Sequence, residues 1–276
     1  MPPPACPIHP ALRALVTRVA PYDSTHRVDE VHVGLPGPSA TLIGSFDEPL
    51  DIGRLAEPAR HAQHWLSVSG LDTRPALIRT NGRLHGIQFD LTPLGVRRLI
   101  GVPMAAIARD IVPLTGVAPA PWAPRYEQLL GLADDVARTR EAQRLLVAHL
   151  DRDQSLPDDL DHAWRLLRAA GGDRTVASLA DHLGWSRRHL VTRFTAEFGL
   201  SPKEAARLFR FDRARSLAAR GRPLAAVAAD CGFADQPHLT REWRSMAGRS
   251  PKQTLRSDYT FLQDVESAVD GHSGHE

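Results

Sequence analysis

Leu183-Gly184-Trp185-Ser186-Arg187-Arg188-His189-Leu190 has a counterpart downstream in Cys231-Gly232-Phe233-Ala234-Asp235-Gln236-Pro237-His238-Leu239. The offset is 48 through the glycine and becomes 49 after the extra residue Ala234. At that offset Phe194 returns as Trp243, Gly199 as Gly248, and Ser201-Pro202-Lys203 as Ser250-Pro251-Lys252. A helical unit has been duplicated between Leu179 and Lys252.

Each copy has the parts of two short helices around a glycine turn. In the first, Val176, Leu179, Ala180 and Leu183 recur at helical spacing and supply one apolar stripe. Gly184 can take the left-handed conformation that ends a helix, and Ser186 can cap the next one. That next helix places Leu190, Phe194 and Phe198 on one side, with Arg187, Arg188, Thr192 and Arg193 on the others. The second copy repeats the arrangement. Leu224, Val227, Ala228 and Cys231 make the first stripe, Gly232 the turn and Asp235 the cap. Leu239, Trp243 and Met246 then form a buried side, leaving His238, Arg241 and Arg244 in front. Between the copies, Ser201, Pro202 and Glu204 form a capping box with proline at its preferred position, and the helix they start runs to Arg220. A helix of about twenty residues spans roughly 30 Å.

Charge is distributed unevenly along the chain. Residues 174–256 hold 16 Lys+Arg and 7 Asp+Glu, a balance of +9, and the remainder holds 18 and 25. The near-neutral total therefore conceals a basic C-terminal region. A basic face on a small helical bundle is often only solvated. Combined with a duplicated helix-turn-helix pattern, it points to double-stranded DNA as the partner.

The 276 residues suffice for two domains with cores. Two cysteines, Cys6 and Cys231, suggest neither a disulfide framework nor a zinc site, and fit a reducing compartment. The proline-rich start lacks a leader pattern, and no run of 18 apolar residues occurs, so the expectation is a cytoplasmic protein without membrane contact.

Before the duplication the chain reads as α+β. Ala11–Val19 is a short amphipathic stretch. From Val31 to Leu91 the period becomes that of strands: Val31, Val33 and Leu35 alternate, and Thr41–Ile43, Trp65–Ser69 and Ala76–Thr80 are short and β-prone. Asn81-Gly82 suits a type I′ turn, which predicts a hairpin of Leu77–Thr80 with Leu84–Phe89. The expected N-terminal architecture is a small antiparallel barrel or sandwich. Helices follow at Leu94–Ile100 and Met104–Val112, and the proline-rich 117–124 is expected to be a non-helical loop. The longest helix is expected from Tyr126 to Leu150. Along it Leu129, Leu132, Val136, Thr139, Gln143, Leu146 and Leu150 step like an imperfect coiled-coil seam, which packs internally or serves a homodimer. Another helix from Asp158 leads to Gly171-Gly172. This divides the chain into a regulatory domain at 1–170, β-rich over 29–92 and helical over 93–170, an all-α DNA-binding domain of two units joined by a long helix at 171–256, and a tail from 257. Tyr259–Val265 is the one amphipathic segment of that tail.

Residues 174–256 resemble the DNA-binding domain of AraC-type transcription regulators. The resemblance rests on W-S-R-R-H-L-V-T-R-F-T-A-E-F-G-L-S-P-K from Trp185, a linking helix, and C-G-F-A-D-Q-P-H-L-T-R-E-W from Cys231. It implies two helix-turn-helix units whose second helices enter successive major-groove segments, about 34 Å apart. The matching base-facing positions are Arg188, Val191 and Thr192 in the first reading helix and Pro237, His238 and Arg241 in the second. Relatives often carry Gln-Arg where this chain has Val191-Thr192, so readout there shifts toward a thymine methyl. Arg188 and Arg241 are the expected guanine contacts. Arg187, Arg193, Arg244 and Lys252 suit phosphates, with Ser186 and Gln236 at the helix starts. Residues 83–114, beginning R-L-H-G-I-Q-F-D-L-T-P-L-G-V-R-R-L-I-G-V-P, are similar to sensor domains of a subset of the same family. They imply an unidentified small-molecule effector and leave an RNA polymerase contact open.

The remaining candidates carry less. Trp65, Arg79, His85 and Gln88 could line an effector pocket or be ordinary sheet residues. His26, His32, His61, His64 and His85 show no converging metal-ligand spacing, and no metal or other cofactor is expected. Cys6 lacks the neighbours an alkyl-transfer site needs, and no phosphate loop or nucleophile elbow is present, so no enzymatic activity is expected. The expected function is a ligand-responsive, sequence-specific transcription regulator. The alternative is a non-specific architectural DNA-binding protein.

Overall fold

Leu12, Leu15 and Val16 are fully buried, and their spacing is that of a helical face. In a computed structural model, which describes residues 7–54, 57–118 and 122–256 with the backbone alone at 57–60, that face is built differently. The amphipathic stretch at 11–19 is divided between a 3-10 turn at Pro10–Leu12 and the start of strand β1 (Val16–Thr25). Among the described residues β1 pairs only with β8 (Arg83–Leu91), and this edge position tolerates Pro21. Cys6 and the segment 259–265 lie outside the described residues.

Nine strands form two antiparallel sheets among the described residues, the sandwich of the two expected alternatives, barrel or sandwich. They include β2 (Val31–Gly34), β3 (Ala40–Ser45), β4 (Leu50–Arg54), β5 (Glu57–His64), β6 (Leu66–Ser69), β7 (Ala76–Arg79) and β9 (Ile111–Pro113). One sheet has the order β1-β8-β3-β6-β9 and the other β2-β7-β4-β5. Strands β4 and β5 carried no clear alternating signal, and β9 replaces the end of the helix expected at 104–112, whose start is a 3-10 turn at Met104–Ala106. In β2 the expected inward residues are reversed: His32 is buried and Val31 is 41% exposed.

The predicted hairpin does not form. Strand β7 pairs with β2 and β4, whereas β8 pairs with β1 and β3 in the other sheet. A type I′ turn needs positive φ at both central residues. Here Gly82 is left-handed (φ 115°) and Asn81 is not. The Gly82 N–H donates to Thr80 Oγ1, and its carbonyl accepts from the His26 N–H. The turn therefore passes the chain from one sheet to the other.

Tyr22, Ile43, Leu50, Ile52, Ile78 and Leu84 form a core between the sheets. The other face of the five-stranded sheet, with Leu42, Ile87, Phe89 and Leu91, is covered by helices. Thr92 caps the single turn α1 (Pro93–Gly95), a π turn at Val96–Ile100 continues it, and both match the helix expected there. The long helix expected from Tyr126 to Leu150 is broken into α2 (Trp122–Leu130) and α3 (Asp135–Ala148), because Asp134 leaves the helical conformation and caps α3. Pro124 belongs to the first turn of α2, where no intrahelical N–H is lost, so the expected loop ends earlier. The seam residues Leu129, Thr139, Gln143 and Leu146 are buried within the chain. Gln143 earns its place by gripping the N-terminal segment: its Oε1 accepts from the His9 N–H and its Nε2 donates to the Pro7 carbonyl.

Helix α4 (Asp158–Ala169) ends before Gly171 and Gly172, both left-handed. Beyond them come α5 (Val176–His182), α6 (Arg187–Phe198), α7 (Pro202–Ala219), α8 (Leu224–Asp230), α9 (Gln236–Ala247) and α10 (Pro251–Arg256). The capping box at Ser201 and Glu204 is formed. The two helical units are cored differently. Leu179, Leu190, Phe194, Phe198 and Phe209 join one continuous core with Met104, Ile107 and Trp164 of the N-terminal half. Trp164 lies 4.7 Å from Phe198 and 5.1 Å from Phe209 between ring centroids. Phe211, Val227, Cys231, Phe233, Leu239, Trp243 and Met246 form a separate core for the second unit. Helix α7 serves both, with Phe209 turned to one and Phe211 to the other.

Candidate nucleic-acid interface

Both turns are built as the repeated pattern requires. Gly184 (φ 66°) and Gly232 (φ 69°) are left-handed, a conformation disfavoured by any Cβ. Ser186 Oγ accepts from the His189 N–H at 3.2 Å, and Asp235 Oδ1 accepts from the His238 N–H at 2.6 Å. The space around the two glycines differs. A Cβ at Gly184 would meet nothing within 4 Å, whereas one at Gly232 would lie 2.9 Å from Asp173 Oδ1. Gly232→Val should therefore destabilise the protein by at least about 1–2 kcal/mol, the left-handed strain alone. The check is thermal denaturation, in which an unchanged Tm would contradict the turn assignment.

Leu190, Phe194 and Phe198 are fully buried on α6, as are Leu239 and Trp243 on α9. The opposite faces carry the residues singled out from the sequence. Ser186, Arg187, Arg188, Val191, Thr192 and Arg193 are exposed around α6, and Gln236, Pro237, Arg241 and Arg244 are exposed on α9, with Lys252 on α10. His238 is half-buried: its Nδ1 accepts from the Ala234 N–H at 3.2 Å and its ring meets Phe233 edge-on, so it also braces the turn. Arg193 lies over the Trp185 ring at 5.9 Å.

Some cations of the unit are neutralised within the protein. Arg207 is paired with Glu242 at 2.8 Å, Arg215 with Asp212 at 3.0 Å, and Arg222 with Asp230. Among the described residues none of Arg187, Arg188, Arg241, Arg244 and Lys252 is in an ion pair. Helix α7 spans about 27 Å at 1.5 Å per residue, so it spaces the two faces on the scale of one duplex turn.

The back of α6 is fastened to the N-terminal half. Arg97 donates through Nε and Nη2 to the two carboxylate oxygens of Glu197, at 2.7 and 2.6 Å. Arg109 donates to Glu204 at 2.5 Å. Gly199 (φ 74°) admits the close approach, since a Cβ there would stand 2.1 Å from the Ala108 Cβ. Nearby, a cleft of about 550 Å³ separates the sheets from α4 and α7. Arg18, Asp90, Arg168, Asp212 and Arg213 are among its lining residues. Arg18 is 9% exposed and its Nε donates to Asp90 at 2.7 Å, yet its Nη1 and Nη2 have no hydrogen-bond partner among the described residues. No pattern of spacing marked Arg18; burial of a charged side chain on an edge strand is a tertiary fact.

The effector-pocket residues read from the sequence are not brought together. His85 and Gln88 lie on opposite faces of β8. His85 points to α3, between Asp47 and Asp135 at 2.9 Å each, and Gln88 points between the sheets and donates to Asp90. Trp65 is 44% exposed and Arg79 is also exposed. His61 is hydrogen-bonded to Asp51 at 3.0 Å.

A family described as a helix-turn-helix domain matches residues 179–257. These residues are a helix-turn-helix domain of the AraC type. The fold beyond that domain is also shared. ToxT from Vibrio cholerae aligns over 86% of this chain and 97% of its own, at 9% identity and a TM-score of 0.53. A ToxT structure bound to an unsaturated fatty acid aligns over 87% and 95%, at 13% identity and a TM-score of 0.51. At such identities the likeness speaks to fold: a β-rich domain followed by the AraC-type domain. No curated protein sequence matches. Among the described residues no helix is long and apolar enough to cross a membrane.

Proposed function

We propose that the protein is a sequence-specific transcription regulator whose AraC-type domain reads two adjacent major-groove segments under control of a small-molecule effector. The observation that carries this reading is the pair of outward helix faces whose arginines have no protein anion. Cations left without a protein anion on two faces joined by a helix of about 27 Å suit a polyanion such as the duplex. Arg188 and Arg241 are proposed to contact guanines, and Val191 with Thr192 to meet a thymine methyl. Arg187, Arg193, Arg244 and Lys252 are proposed to hold phosphates, with Ser186, Gln236, Pro237 and His238 lining the helix entries. One chain carries both reading helices, and their faces differ, so the target is asymmetric.

Footprinting is the test. A discrete protected site of about two helical turns is expected, and uniform coating of any duplex would favour an architectural protein instead. Within the footprint, Arg241→Ala should cost on the order of 1–3 kcal/mol and relax preference at one base. Lys252→Ala should weaken all sequences alike and reduce the salt slope. Equal scaling of every site by both variants would remove Arg241 from base readout.

The effector is proposed to occupy the cleft between the sheets and α4 and α7. A volume of about 550 Å³ suits a small molecule. The buried Arg18 guanidinium offers two N–H-bearing nitrogens to an anionic group such as a carboxylate, in keeping with the fatty acid bound to the ToxT structure.

A further inference from the structure

The loop between β1 and β2 is held by main-chain bonds. The His26 N–H donates to the Gly82 carbonyl, the Asp29 N–H to the Thr80 carbonyl, and the Thr80 N–H to the Glu30 carbonyl. Asp29 is left-handed (φ 62°), which turns the loop back on itself. The result is a convergence absent from the residue spacing. One ligand-type atom from each of His26, Glu30 and His32 lies within 4.8 Å of the others. His26 Nδ1 is 3.8 Å from Glu30 Oε2, and the two imidazole rings meet at 4.2 Å between centroids. His32 is 1% exposed.

We propose that His26, Glu30 and His32 form a binding site for a divalent transition-metal ion of the zinc type, with a fourth position left to water. Two imidazoles and a carboxylate match the preference of such ions for mixed nitrogen and oxygen ligands, whereas magnesium and calcium favour oxygen alone. Tetrahedral bonds of about 2.0–2.1 Å place ligand atoms roughly 3.3 Å apart, so the present separations close by side-chain rotation on a fixed backbone. The orientation is already prepared. Ser24 Oγ lies 2.7 Å from His26 Nε2, which directs Nδ1 toward Glu30, and Glu30 Oε2 accepts from the Arg27 N–H at 3.1 Å. The site borders the second helix-turn-helix unit: Leu35, just beyond β2, packs against that unit's core.

The test uses the full chain, stripped with a chelator and titrated with cobalt(II) followed by zinc(II). One equivalent of cobalt(II) should give the intense visible absorption of a four-coordinate ion, and zinc(II) should displace it and raise Tm. Glu30→Gln, which preserves shape, should weaken affinity by at least about tenfold, and His32→Ala should abolish the signal. His162→Ala is the control, because His162 and His182 approach at 3.2 Å elsewhere and could hold an ion as a pair. No saturable signal at micromolar metal, a signal unchanged in Glu30→Gln, or one lost in His162→Ala would each overturn the assignment. Metal titration needs no DNA, so its outcome is independent of the footprint.

Discussion

Trp243→Ala is expected to remove about 3–5 kcal/mol from the stability of the second helix-turn-helix unit. Trp243 is fully buried, meets Phe211 at 5.2 Å between ring centroids, and donates through Nε1 to Thr254 Oγ1 at 3.0 Å. The core it anchors is small, and from the N-terminal half only Leu35 among the described residues packs against it, so little can close over the cavity. The loss should therefore be local. Denaturant unfolding followed by circular dichroism should change from one transition to two, with the early one carrying the signal of α8, α9 and α10. The protected DNA site should shrink to the half contacted by α6. Trp243→Phe, which keeps an aromatic ring but loses part of the indole volume and the bond to Thr254, should retain more of the stability than Trp243→Ala. A single transition with a small shift in Trp243→Ala would show that the second unit is not an independently cored body.

Arg97→Ala should cost about 3–5 kcal/mol for a different reason. Its partner Glu197 is 5% exposed, and removal of the guanidinium leaves a largely buried carboxylate with no other ion-pair partner among the described residues. The coupled replacement Arg97→Met with Glu197→Leu should restore most of that loss, because no charge is then left in the junction. A double-mutant cycle measured by chemical denaturation gives the interaction directly. If Arg97→Ala alone were nearly neutral, α6 would not be fastened to the N-terminal half through this pair. Arg97 lies just after β8 and Glu197 lies on α6, so this pair ties the two elements together.

The second unit lacks this fastening through α6. The first unit therefore shares a core with the N-terminal half, and the second unit has a core of its own. Changes in the angle between the two reading helices can arise at α7, whose Phe209 and Phe211 belong to different cores.

The duplicated stretch was readable because its signals are local. Ser186 and Asp235 cap within three residues, Gly184 and Gly232 set the turns by their own backbone freedom, and Leu190, Phe194 and Phe198 share a face through the helical period. The N-terminal half was readable only in class. Asn81-Gly82 favours a hairpin locally, yet the pairing of β7 with β2 and β4, and of β8 with β1 and β3, outweighs it. Tyr126–Leu150 has helical spacing throughout, and the break at Asp134 allows α2 and α3 to follow the sheet separately.

The sequence by itself determined a basic, twofold helix-turn-helix domain with unequal reading faces, because capping, turn formation and helical amphipathicity act over fewer than ten residues. Tertiary structure alone decided the two-sheet order, the merging of the first unit into the N-terminal core, the buried Arg18 at the cleft and the meeting of His26, Glu30 and His32. Those features depend on which distant surfaces exclude water from one another, and that is settled by packing in three dimensions rather than by spacing along the chain.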